Sequence, residues 1–103
     1  MLKGTLDLLI LRTLDFEPRH GLGVSDRIAQ ITRGTFVVKP GSLFPALHRL
    51  EQEGFIEGAW GESDQGRRAK IYRLTSAGRK RLAVERKSWD RIVTAVGQVL
   101  DPA

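Results

Sequence analysis

The stretch KPGSLFPALHRLEQEGF, residues 39–55, decides how this chain folds. Leu43, Leu47 and Leu50 recur at i, i+4 and i+7, the spacing of one helical face, with Ala46 beside them. Pro45 interrupts that pattern, because an interior proline removes a hydrogen bond and crowds the preceding turn. The conflict resolves if Ser42 is the N-cap and Leu43, Phe44 and Pro45 are the first three helical residues, since the first N–H groups of a helix have no intrahelical acceptor. Ser42 would then accept from the N–H of Phe44. Ser42, Phe44, Pro45, His48, Arg49 and Gln52 fall off the leucine face. A solvated surface accounts for Gln52 and Glu53. Apolar groups at an outward helix start, beside hydroxyl, imidazole and guanidinium donors, call for something more. A recognition helix presents such residues to base edges, with apolar groups near thymine methyls, while its N–H groups and a cation such as Lys39 hold phosphates.

Upstream, TLDLLILRTLDF (residues 5–16) is apolar almost all round and reads as a buried helix capped by Thr5. The punctuation EPRHG stops it. LGVSDRIAQITRG (22–34) offers Val24, Ile28 and Ile31 on one face of a second helix closed by Gly34. Downstream the period changes. FIEGAW (55–60) and AKIYRLT (69–75) are β-branched and aromatic, and the polar GESDQGRR between them reads as the long tip of a hairpin. Such a hairpin is marginal alone and must lean on the helices, with Tyr72 and Trp60 as packing residues. SAGRKRLAVERKSWDRIVTAVGQVL (76–100) is a long helix capped by Thr75 or Ser76. Its Leu82, Trp89 and Val96 are spaced by seven, and Ile92 and Val93 with Val99 and Leu100 fill the alternate seam. The fold expected is mainly α with one β-hairpin: a winged helix-turn-helix over 1–74 and a C-terminal dimerisation helix over 75–103, in one compact unit. Winged helices bind nucleic acids and also dock proteins, so a protein-interaction module meeting an acidic partner stands as the alternative.

Charge separates these possibilities less than its placement does. The net charge is +5, yet residues 64–87 carry nine Lys/Arg against Asp64 and Glu85, while the remainder is nearly balanced. That local excess attracts polyanions. Arg67 and Arg68 stand on the hairpin arm within it and favour contact with a DNA backbone or minor groove. With no cysteine, disulfides, thiolate metal sites and cysteine nucleophiles are excluded, and a reducing cytoplasm is the simplest location. The longest apolar run is too short to cross a bilayer, and no leader pattern opens the chain. Two scattered histidines make no metal-ligand spacing. Ser42 and His48 share a helix with no acidic residue to orient them, so no catalytic role and no cofactor is expected. His20, in its turn, reads as structural.

GSLFPALHRLEQEGFIEGAW followed by GRRAKIYRLTSAGRKRL resembles the signature of PadR-family transcriptional regulators, and LKGTLDLLILRTL and HGLGVSDRI extend the likeness over nearly the whole chain. It resembles the short subgroup with one C-terminal helix, especially the type common in acidobacteria. The resemblance implies a homodimeric repressor on a pseudo-palindromic operator of double-stranded DNA, controlling a neighbouring gene that is often transporter-related. It places Ser42, Phe44, Pro45 and His48 on the recognition helix and Arg67, Arg68 and Lys70 on the wing, and it implies dimerisation through the first and last helices. Drug-responsive members suggest a role for Trp89 beyond seam packing: two copies facing each other could sandwich a flat, hydrophobic effector. Two positions depart from the pattern. Phe44 stands where tyrosine is usual, and Ile71 replaces a commoner aromatic, with Tyr72 left to keep the core contact.

Overall fold

A computed structural model describes residues 3–62 and 66–102. The order is α1 (Lys3–Phe16), β1 (Arg19–His20), α2 (Gly21–Ile31), α3 (Pro40–Gln52), β2 (Ile56–Glu62), β3 (Arg68–Leu74) and α4 (Ser76–Leu100). The middle of the tip expected between the hairpin strands, 63–65, lies outside the described residues. Three helices and the β2–β3 hairpin make the winged helix-turn-helix that the hydrophobic periods imply.

Leu6, Ile10, Leu11 and Leu14 of α1, Val24 and Ile28 of α2, and Leu43, Ala46, Leu47 and Leu50 of α3 meet in one core, closed by Ile56, Tyr72 and Leu74 of the sheet and Leu82 of α4. Thr5 lies inside α1 and does not cap it. Ile31 and Phe16, expected on buried faces, are more than half exposed, because each sits in the last turn of its helix, beyond the core. His20 caps α2, its Nδ1 accepting the N–H of Gly23 at 3.2 Å.

The third helix differs from expectation at its start. It begins at Pro40, with Lys39 as N-cap, and the Lys39 carbonyl accepts from both Ser42 and Leu43. Pro40 therefore holds the first helical position, where a proline is favoured. Ser42 and Pro45 are inside the helix, not at its cap. Pro45 leaves the Gly41 carbonyl without its i+4 donor. Gly41 is exposed, so water can hydrate that carbonyl. The helix ends in a Schellman motif: Phe55 N–H donates to Leu50 O at 3.0 Å, Gly54 N–H donates to Glu51 O at 3.0 Å, and Gly54 has φ +81°.

The sheet has the antiparallel order β1-β3-β2, with Arg19 opposite Tyr72 and Gly58 opposite Tyr72 on the other side. β1 is only two residues long, too short for any alternation in sequence to mark it, and exists through its pairing with β3. Thr75 caps α4 by accepting the Gly78 N–H at 3.0 Å, and its own hydroxyl donates to Gly54 O at 2.7 Å. This stitches the start of α4 to the α3–β2 corner. Gly78 lies so close to that corner that a Cβ would overlap the Phe55 carbonyl. The close approach carries Leu82 into the core, at 5% exposure, which removes it from the expected dimer seam. Beyond it, Trp89, Ile92, Val93 and Val96 are each about half exposed, at 41%, 50%, 51% and 49%. None of the described helices is long and apolar enough to cross a membrane.

Candidate nucleic-acid interface

Once α3 turns its leucines inward, its remaining side chains are sorted by the same 100° step. Lys39, Pro40, Gly41, Ser42, Pro45 and His48 are exposed, and Phe44 is 44% exposed. Phe44 leans back on α2: a Cβ on Gly21 would stand 2.8 Å from its Cε1. Its ring thus wedges between the α2 and α3 starts, and a hydroxyl is not required for that packing.

Arg49 does not belong to this outward set. Its Nη1 and Nη2 donate to Asp7 Oδ2 and Oδ1 at 3.0 and 2.5 Å, a two-pronged pair joining α3 to α1. The hydrogen bonds to Asp7 raise the Arg49 pKa above its ordinary value, against the opposing effect of burial. Lys70 is also engaged. Its Nζ donates to Glu51 Oε1 at 2.7 Å, while Glu51 Oε2 accepts the Gly58 N–H at 3.1 Å. The Lys70 hydrogen bond holds the Glu51 carboxyl below its usual range, and the same bond raises the Lys70 pKa. Glu51 therefore ties α3 to both wing strands. These two ionic links were invisible from local spacing, because the partners lie 42 and 19 residues apart.

Arg67 and Arg68 are exposed on the wing arm, as read from the sequence. Trp60 is not a core residue: it is 64% exposed, and the Arg68 guanidinium lies over its ring at 5.0 Å. Both arginines line a groove of about 450 Å³ between the wing and α2, together with Arg19, Arg27 and Asp26. Local sequence does not reveal Arg19 and Arg27 as wing neighbours, because the β1–β3 pairing brings Arg19 there and the packing of α2 beside β3 brings Arg27. Trp89 borders a smaller cleft of about 200 Å³ with Thr5 and Leu8 of α1 and Glu85, Ser88 and Ile92 of α4. Among the described residues no group of three or more metal-ligating side chains gathers.

A helix-turn-helix whose second helix keeps a polar, partly apolar outer face, flanked by an arginine-bearing hairpin, defines a winged helix-turn-helix of the DNA-binding kind. Residues 10–84 match the Transcriptional regulator PadR-like family. A protein of Lysinibacillus sphaericus is 33% identical over 92 residues, 89% of this chain and 84% of its own length. Among solved structures, a PadR-like transcriptional regulator from Bacillus cereus is 31% identical with a TM-score of 0.83, covering 100% of this chain and 98% of its own. A transcriptional regulator from Clostridium thermocellum is 28% identical with a TM-score of 0.86 and 95% coverage of both chains. The chain belongs to the PadR family of transcriptional regulators.

Proposed function

We propose that the chain is a homodimeric repressor in the cytoplasm. It would occupy a pseudo-palindromic operator through α3 and the wing, silence a neighbouring gene of the transporter kind, and release the DNA when a small hydrophobic effector binds. The observation that carries this is the division of α3. Its four apolar core residues are buried, while Ser42, Pro45 and His48 at its first turns stay exposed. Ser42 and His48 would meet base edges, Phe44 and Pro45 thymine methyls, and Lys39 with the first-turn N–H groups a phosphate. Arg67 and Arg68 would meet backbone phosphates. Arg49 and Lys70 serve differently, by holding α3 against α1 and against the wing.

The exposed seam of Trp89, Ile92, Val93 and Val96 is what a second copy would cover, with residues 75–103 as the dimerisation element. Two recognition helices would then enter successive major grooves, roughly 34 Å apart. The Trp89 cleft, at about 200 Å³, falls below the ~300 Å³ at which small-molecule sites usually begin. A second Trp89 across the two-fold would complete a slot for a flat apolar molecule. The test is a mobility-shift titration with the DNA upstream of the chain's own gene at several salt concentrations. A retarded complex that weakens steeply with salt is expected. No shift at low salt, with an acidic polypeptide retained instead, would favour a protein-docking module.

A further inference from the structure

The hairpin has two faces, and the strand register sorts its residues between them. Ile56, Gly58, Trp60 and Glu62 share one face with their partners Leu74, Tyr72, Lys70 and Arg68. The base of that face is buried in the core, and its middle is clamped to α3 by Glu51. Trp60 stands across from Lys70, at the outer edge of the clamp, and Arg68 lies one residue pair further along the same face. An indole left 64% exposed there gains little from burial. Glu62 stands directly across from Arg68, yet the guanidinium lies over the Trp60 ring.

A guanidinium stacked on an aromatic plate keeps its N–H edge free and loses rotamer freedom before any ligand arrives. That edge is matched to the paired oxygens of a phosphodiester. Arg67 and Arg27 in the adjoining groove supply the charge complementarity to a polyanion, while Arg19 there is paired with Glu17 at 2.5 Å and Asp26 is the acidic residue of the lining. We propose that Trp60 is a positioning residue of the wing: its indole holds the Arg68 guanidinium in the orientation that meets a phosphate of bound DNA. This rests on the DNA-binding function proposed above and assigns Trp60 a part in it.

A double-mutant cycle tests the platform, read by fluorescence anisotropy on a labelled mixed-sequence duplex of about 30 base pairs, since phosphate contacts do not depend on sequence. Arg68→Ala should weaken binding about fivefold and lower the salt slope by about one. Trp60→Ala should weaken it about two- to fivefold and lower the slope in the same way, although it removes no charge. The double variant should bind as Arg68→Ala does, and Trp60→Phe should stay within about twofold of the parent. Losses that multiply in the double variant, or a Trp60→Ala protein with unchanged affinity and slope, would overturn the platform while leaving DNA binding intact. A folded parent chain that binds no duplex at low salt overturns both. Melting curves confirm that each variant is folded, and if Trp60→Ala is not, Trp60→Leu completes the cycle.

Discussion

Replacing Gly78 by alanine should destabilise the protein although alanine is the better helix former. By propensity alone the change would add about 1 kcal/mol of stability. At this site the new Cβ would overlap the Phe55 carbonyl oxygen and stand 2.6 Å from Leu74 Cδ1 and 3.0 Å from the Phe55 carbonyl carbon. Two of those atoms are backbone, so no side-chain rotation relieves the contact. The start of α4 would have to move away from the α3–β2 corner. That motion weakens the Thr75 N–H bond to Phe55 O and the Thr75 hydroxyl bond to Gly54 O, and it draws Leu82 outward. Overpacking of this kind and two impaired hydrogen bonds together outweigh the propensity gain, leaving a net loss of about 2–4 kcal/mol. The melting temperature followed by circular dichroism, at one fixed protein concentration so that any self-association is held constant, should fall by roughly 10–20 °C. Gly97→Ala in the same helix is the control. A Cβ there meets nothing within the chain, so at a concentration where the chain is monomeric stability should rise by about 0.5–1 kcal/mol. A Gly78→Ala protein as stable as the parent would refute the close-packing argument.

Three further substitutions probe the reader and its supports. Pro45→Ala restores the N–H that the Gly41 carbonyl lacks, so urea unfolding should show a gain of about 1 kcal/mol, and a loss would place the proline at the helix start after all. Gly21→Ala pushes chiefly on the end of the Phe44 ring, at 2.8 Å, and more lightly on the buried Leu47 Cδ1, at 3.3 Å, so stability should fall by about 1–2 kcal/mol while operator affinity drops; unchanged affinity in the folded variant would remove Phe44 from the reading surface. Glu51 has a folded-state pKa below its ordinary value, so its contribution is complete above about pH 4.5 and is lost as pH falls through the folded value. Glu51→Gln should accordingly lie below the parent in stability at pH 7 and converge with it in acid, whereas a constant gap from pH 7 to pH 3 would rule out the charge as the cause.

The elements of this fold announce themselves where a period runs long enough. The leucines of α3, the alternation in both wing strands and the seam of α4 all do so, and Thr75 is a cap by chemistry alone. The start of α3 misleads because two prolines compete for the first position. Ser42 looks like the better cap, yet the backbone of Lys39 turns the chain and the side chain of Ser42 is left outside. Arg49 and Lys70 carry donors suited to DNA, and nothing within a helical turn tells that Asp7 and Glu51 hold them. Trp60 looks like a core aromatic because strand alternation does not reveal where the core ends along a projecting hairpin. Leu82 joins the heptad seam by count, but the glycine before it lets the helix dip into the body of the protein. Local periodicity locates elements, and partners distant in sequence decide which side chains remain free.

A dimeric DNA-binding repressor is tested by the stoichiometry and salt dependence of its binding to the duplex upstream of the chain's own gene. Sedimentation velocity of the labelled duplex with added protein reports both. The expected result is two chains per duplex, with an affinity that falls linearly in log–log form as salt rises, in proportion to the phosphates contacted. A single chain per duplex, or an affinity indifferent to salt, would contradict it.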